Sequence, residues 1–283
     1  MILGIVCMLG SIGCLTSMQM FVKLTGPEYS PFQAVFFRNA VAVALIVPFM
    51  LFTTGASSFR THRPMGHFFR SLSGVLGNAS FYFAYSQIAL SDGMSISMSM
   101  PIFATILAIP FLGERVGIRR WIAIFIGFAG VVIALDPTGD FQVGSLFSLA
   151  GTLLWAISLI QIKKLAETET PFLIVFYYML TGFAVSVFIL PFIWITPTTE
   201  HLIFYICAGV LGGLGQLLMT FAMKFAPAAV VTPFEYTAIL WAVSFDLVIW
   251  GVLPDASTIV GSTIVIATGL YIWHRETRAL ANK

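Results

Sequence analysis

Three charged residues stand inside long apolar stretches of this chain: Arg38, Glu235 and Asp246. At the centre of a membrane-spanning helix each costs about 2.5–3.5 kcal/mol on insertion scales, so each needs a partner or a task. Arg38 follows Pro31 by seven residues, roughly 10 Å at helical rise. Asp246 lies at a comparable depth on a stretch that runs the other way, which makes an Arg38–Asp246 ion pair geometrically available. Contact with a solute is the alternative role for Arg38. Glu235 follows Pro233, and a proline inside a span frees backbone groups to line a cavity. Glu235 is therefore the leading candidate for proton coupling or for binding a solute's ammonium, against a structural carboxylate held by a neighbour. Asp246 is a second coupling candidate.

Two amides form the next constellation. Gly74, Asn78, Tyr82 and Tyr85 fall at helical spacing on one stripe, and Gly209, Gly213, Gln216 and Thr220 do the same on another. An amide near the middle of a span can donate and accept toward a polar solute, or simply bond a neighbouring helix. Ser97 lies in the serine- and methionine-rich run Met94 to Met100, where some serines serve close packing and others are open to solute contact. Trp155, Tyr236 and Trp241 join Tyr82 and Tyr85 as rings able to stack on a planar solute. With 14% aromatic residues, most rings must nonetheless face lipid or fill the interior.

The elements that carry these residues are membrane spans. Hydrophobic residues make up 59% of the chain and charged residues 9%, against about a quarter charged in soluble domains. A span needs about 20 apolar residues, and ten such stretches fit: 2–22, 31–53, 67–90, 94–112, 118–135, 142–163, 171–194, 202–224, 230–251 and 257–274. Breakers separate them at Gly26-Pro27, Asp136-Pro137, Thr196-Pro197 and Leu253-Pro254. Of the 14 Lys and Arg, 12 fall at alternate boundaries or the C-terminus, including Arg60, Arg63, Arg70, Arg115 and Lys224. The positive-inside rule then places both termini in the cytoplasm. The first stretch reads as an anchor and not a cleaved signal peptide, since no basic region precedes it. Cys7, Cys14 and Cys207 have no metal or disulfide spacing. Phosphate-cradling loops, zinc helices and serine elbows are absent, and the basic residues form no nucleic-acid footprint.

The chain also repeats itself. Pro31-Phe32 matches Pro171-Phe172, Pro48-Phe49 matches Pro191-Phe192, and Lys23-Leu24 matches Lys164-Leu165. A shift of 138 pairs Gly74 with Gly212, Gly77 with Gly215, Asn78 with Gln216 and Ala84 with Ala222. Two related halves follow, 1–137 and 138–283. Five spans per half thread the second half in the opposite sense. The expected fold is therefore an all-α polytopic membrane protein of ten helices in two inverted five-helix repeats.

The run Ala84-Tyr-Ser-Gln-Ile-Ala-Leu-Ser-Asp-Gly, with Pro101-Ile-Phe, Gly113-Glu114-Arg115 and Trp121, resembles the EamA branch of the drug/metabolite transporter superfamily. Phe37-Arg38 and Gly261 to Gly269 fit the same pattern, and the likeness covers the whole chain. The Phe-Phe-Arg segment, Arg70, and Phe234-Glu-Tyr with Leu253-Pro-Asp are most similar to S-adenosylmethionine-uptake-like carriers, with aromatic amino acid exporters a looser match. Gly251-Val252 departs from the pattern, since no acid occupies that end of the ninth span. The resemblance implies a secondary-active carrier of small organic metabolites, amino-acid-like or S-adenosylmethionine-like, in a bacterial inner membrane. An exporter of amino acids or toxic organic cations is the alternative. A membrane-embedded enzyme on lipid-linked substrates would need a cluster of His, Asp or Glu at one face, and the histidines are scattered. The expected partners are a small-molecule solute, membrane lipid, a proton as coupling ion and a second copy in a homodimer, with no enzyme activity, cofactor, metal or nucleic acid.

Overall fold

The computed structural model describes residues 2–53, 55–100, 102–103, 106–107, 118–135, 142–226 and 231–281. Among them every regular element is a helix: α1 (Ile2–Leu24), α2 (Pro31–Thr53), α3 (Pro64–Gln87), α4 (Leu90–Ser97), α5 (Ile118–Leu135), α6 (Val143–Ala166), α7 (Pro171–Ile189), α8 (Thr199–Phe225), α9 (Ala238–Phe245) and α10 (Ala256–Ala281). Five helical stretches are long and apolar enough to cross a bilayer: Ile2–Leu24, Pro31–Thr53, Val143–Ala166, Pro171–Phe192 and Thr199–Phe225. Trp121–Ile133 and Ala256–Thr268 are shorter apolar segments. The chain is thus a multi-pass helical membrane protein. The Gly113-Glu114-Arg115 stretch, Pro101 and the Asp136-Pro137 breaker lie outside the described residues.

Local sequence starts the helices where the breakers stand. Proline occupies the first turn of α3 and α7, where its missing N–H costs nothing. The hydroxyls of Thr170 and Thr198 cap α7 and α8, accepting from the N–H groups of Leu173 (3.4 Å) and His201 (3.3 Å). Gly26 turns the chain after α1 with φ of 87°, a left-handed conformation open to glycine.

Packing is decided by where backbones can approach. The most extensive contacts join α1 to α8 and α3 to α6, followed by α5 with α10 and α2 with both α7 and α8. At the α3–α6 crossing a Cβ on Gly77 would stand 3.4 Å from the Gly151 carbonyl oxygen, and one on Gly151 3.1 Å from that of Gly77. At the α1–α8 crossing a Cβ on Gly215 would meet Cys14 Cβ at 3.3 Å, and the Ser11 hydroxyl donates to the Gly215 carbonyl at 2.8 Å. Small residues replace hydrophobic drive here, because lipid is as apolar as a leucine.

The stretch expected to form a ninth span is not one helix. A 3₁₀ segment, Thr232–Thr237, leads into α9, and a π-helical turn, Asp246–Trp250, ends it at Gly251 with φ of 66°. The extended turn carries Asp246 inward, where it is fully buried. The Asp246 carboxylate does not meet Arg38, contrary to the expected pairing. It accepts from the backbone N–H groups of Leu90 (3.3 Å) and Ser91 (2.6 Å) at the start of α4, and Lys23 Nζ stands 3.5 Å away. Lys23 also donates to the Ile88 carbonyl at 3.0 Å and lies 4.7 Å from the Trp250 ring centre. A carboxylate against unsatisfied N–H groups at a helix start is the stronger competitor, since both the charge and the orphan donors are relieved.

Asp246→Ala would strand a buried ammonium and two helix-start donors. Loss of one partner of a buried pair costs about 3–5 kcal/mol. The expected outcome is a marked fall in the thermal midpoint of the detergent-solubilised protein; a midpoint within a degree of the parent would remove this contact from the fold's supports.

Candidate functional site

Between α1, α3, α4, α6, α8 and the broken ninth span lies a cavity of about 120 Å³. Its polar wall holds Asn78 from α3, Gln216 from α8, Ser97 from α4, Thr152 from α6 and Glu235 from the 3₁₀ segment. Its aromatic wall holds Phe81, Tyr85, Trp155 and Tyr236. Six methionines, Met8, Met18, Met94, Met98, Met100 and Met219, complete much of the surface. Thioethers on unbranched stems are polarisable and re-pack easily, so such a wall adapts to ring and aliphatic surfaces alike.

The structure therefore brings together Asn78, Tyr85, Ser97, Trp155, Gln216, Glu235 and Tyr236 from the predicted set. Glu235 reaches the cavity because the 3₁₀ segment turns its residues differently from an α-helix. Four predicted residues stand apart. Asp246 is committed to Lys23 and α4. Trp241 is 46% exposed, its indole edge lies beside Gly13 of α1, and it does not line the cavity. Tyr82 is buried, with its hydroxyl 3.5 Å from Met18 Sδ. Arg38 is buried behind the wall. The stripe on α8 also divides: Gly209 and Gly213 face Val41 and Ala42 of α2, while Gln216 faces the cavity.

Behind the two amides sits a polar cluster centred on Tyr178 of α7. Arg38 Nη1 donates to the Tyr178 hydroxyl at 3.0 Å, and Asn78 Nδ2 donates to the same oxygen. Arg70 lies against the face of the ring, its guanidinium carbon 3.7 Å from the centre, and its Nη2 donates to Gln216 Oε1 at 3.2 Å. Gly74 makes room: a Cβ there would stand 2.8 Å from the Tyr178 ring and 2.9 Å from Arg70 Nη1. Gly212 does the same for Arg38, with Nε 2.7 Å from the position a Cβ would take.

Sequence reasoning counted Arg70 among the basic residues at alternate span boundaries, and the structure buries it inside the helix bundle. The helix begins at Pro64, not at residue 67, so Arg70 lies six residues in, about 9 Å, and is fully buried. The proline was the available signal. Tyr178 was missed too, although it follows Pro171 as Arg38 follows Pro31. Gln19, an amide in the first span, also lines the cavity with its Oε1 unpaired, and the logic applied to Asn78 would have found it.

The EamA-like transporter family model matches residues 2–135 and, separately, 142–273. The S-adenosylmethionine uptake transporter of Rickettsia bellii (strain RML369-C) is 29% identical over 262 residues, 92% of this chain and 90% of that protein. The riboflavin transporter of Vibrio cholerae serotype O1 is 28% identical over 244 residues, covering 85% and 82%. A solved crystal structure superposes with a TM-score of 0.68 over 94% of each chain at 15% identity, which speaks to the fold alone.

Tyr178→Phe removes the oxygen that accepts from both Arg38 and Asn78. Leaving buried donors unpaired costs about 1–3 kcal/mol each. We expect a lower thermal midpoint without loss of helix content; an unchanged midpoint would show that these donors bond elsewhere.

Proposed function

Because the chain belongs to the EamA-like transporter family, within the drug/metabolite transporter superfamily, and is a membrane transporter and not an enzyme, we propose that it carries a small organic metabolite by alternating access through this cavity. Its architecture, on this reading, is ten spans in two inverted five-helix repeats, 1–137 and 138–283, with both termini cytoplasmic. The two separate family matches support that division. So does the packing. When the halves are exchanged, α1 on α8 becomes α6 on α3, and these are the two largest helix contacts. At the 141-residue offset of Lys23 and Lys164, Cys14 corresponds to Trp155; a Cβ on Gly215 would stand 3.3 Å from Cys14 Cβ, and one on Gly77 3.5 Å from the Trp155 backbone nitrogen. Arg38 and Tyr178, which touch, stand at the same 140-residue offset as Pro31 and Pro171. The two amides of the cavity wall, Asn78 and Gln216, are likewise counterparts at an offset of 138.

The observation that carries the proposal is this last one. The cavity lies where related positions of the two halves meet. Two similar halves can pack in two arrangements of similar energy, each opening the shared pocket to one side. In the structure Lys23, Asp246 and the start of α4 hold one end together.

The wall suits a solute that combines a ring, a cation and hydrogen-bonding groups. Trp155, Tyr85 and Tyr236 offer faces for a ring, Asn78 and Gln216 offer amides, and Glu235 offers a carboxylate with no hydrogen bond among the described residues. An amino-acid-like or S-adenosylmethionine-like zwitterion fits this set, in line with the uptake function named for the Rickettsia relative. Glu235 is the proposed coupling group, binding the solute's cation in one state and a proton in the other. Asp246 is too firmly held to share that role.

Proteoliposomes containing the purified protein should accumulate labelled S-adenosylmethionine. Glu235→Gln should abolish dependence on an imposed proton gradient, and Asn78→Ala should reduce uptake at least tenfold. Uptake unaltered by both substitutions would sink the assignment of site and coupling together.

A further inference from the structure

Two guanidinium groups lie buried against one tyrosine, and among the described residues no carboxylate pairs with them. Arg38 is 1% exposed and Arg70 0%. Arg38 stands 5.3 Å from the centre of the Tyr178 ring and Arg70 3.7 Å. Arg38 donates to the Tyr178 hydroxyl and Arg70 to Gln216 Oε1, and the Tyr82 hydroxyl also lies beside Arg38. Among the described residues Nε and Nη2 of Arg38 and Nε and Nη1 of Arg70 meet no hydrogen-bond acceptor in good geometry. Among the described residues the ion pairs are Lys23–Asp246 and His67–Glu169, and neither arginine takes part.

Such an arrangement is incomplete by itself. A cation over a ring recovers only part of what taking an uncompensated charge out of water costs. Here two like charges share one ring, so repulsion adds to desolvation. An anion between them would relieve both costs and would satisfy the idle donors, since guanidinium forks match carboxylate and phosphate oxygens in pairs.

The cluster is one layer from the cavity. Asn78 and Gln216 line the cavity on one side and bond Tyr178 and Arg70 on the other. Met18, another lining residue, touches the Arg38 region: a Cβ on Gly212 would stand 2.7 Å from Arg38 Nε and 2.8 Å from Met18 Sδ. The Gln216 oxygen occupies the place of a weak, neutral acceptor on Arg70. A solute anion would displace it, and the amide is long enough to turn aside.

We propose that Arg38 and Arg70 form an anion subsite of the cavity that takes the carboxylate or phosphate group of the transported solute. This rests on the reading of the cavity as the solute site. Glu235 on the same wall adds a rule of charge order: the solute carries its anionic group toward the arginines and a cationic or neutral group toward Glu235. A solute with anions at both ends is refused.

Thermal unfolding of the purified wild-type protein tests this. Sodium acetate and sodium phosphate are titrated against sodium chloride at equal ionic strength, then S-adenosylmethionine against its carboxyl methyl ester. Arg38→Lys and Arg70→Lys keep the charge and remove the fork. We expect acetate or phosphate to raise the midpoint where chloride does not, the stronger of the two naming the group. The apparent affinity should fall at least fivefold in each lysine variant, and the ester should bind at least tenfold more weakly than the acid. Acetate and phosphate no different from chloride, or stabilisation untouched by both lysine variants, overturns the subsite. Equal binding of acid and ester overturns it while leaving the transport reading in place. Arginine-dependent anion binding without any S-adenosylmethionine binding keeps the subsite and discards that solute. Should a lysine variant fail to fold, the wild-type comparisons with chloride and with the ester decide.

Discussion

Inside the hydrocarbon a polar group finds its partner within the protein or goes without. That constraint explains more of this structure than any propensity does. Asp246 is drawn to the bare N–H groups at the start of α4 because those groups need an acceptor as much as the carboxylate needs donors. The consequence reaches well beyond one contact. It joins the ninth span to the first through Lys23, and it frees Arg38 from the partner its depth suggested. Arg38 then turns to Tyr178, where Arg70 and Asn78 already converge. The candidate site is therefore built partly from what remains once the strongest pairings have formed.

Glycine decides where that convergence can happen. Gly74 and Gly212 leave the space that the Tyr178 ring and the Arg38 stem fill. Gly77 and Gly151 let α3 and α6 meet backbone to backbone, with Gly215 doing the same for α8 against α1. Under the proposed inverted duplication Gly74 and Gly212 are related positions, as are Gly77 and Gly215. A crossing tuned once in an ancestral half would then appear twice, and the residues near the local axis, Arg38 and Tyr178, would face their own counterparts. A site made this way is nearly symmetric in place and quite unsymmetric in chemistry. That asymmetry gives it direction: cationic donors behind the amides, and a carboxylate on the broken ninth span.

Much of the site was legible before any fold was known. Asn78 and Gln216 were marked by being amides at matching positions of apolar stretches, and both reach the cavity. Glu235 was marked by charge and by Pro233, and the 3₁₀ segment delivers it there. Trp241 was marked only by being aromatic, which in so apolar a chain carries almost no information, and it does not line the cavity. Arg70 was hidden by its neighbours. It stands near several basic residues along the chain, and only its burial within α3 separates it from them.

By itself the sequence determined what periodicity and composition can: apolar helices of membrane length, breakers between them and the polar residues that lipid would not tolerate unaided. These are local or one-dimensional properties, set by the side chain and its distance along the chain. Which polar residue meets which was decided only by the tertiary structure. The choice between Arg38 and two backbone N–H groups for Asp246, or the placing of Trp241 outside the cavity wall, depends on helix rotation and on a π-helical turn that shifts register. Those are set by the close fit of distant backbones, and no spacing along a single helix encodes them.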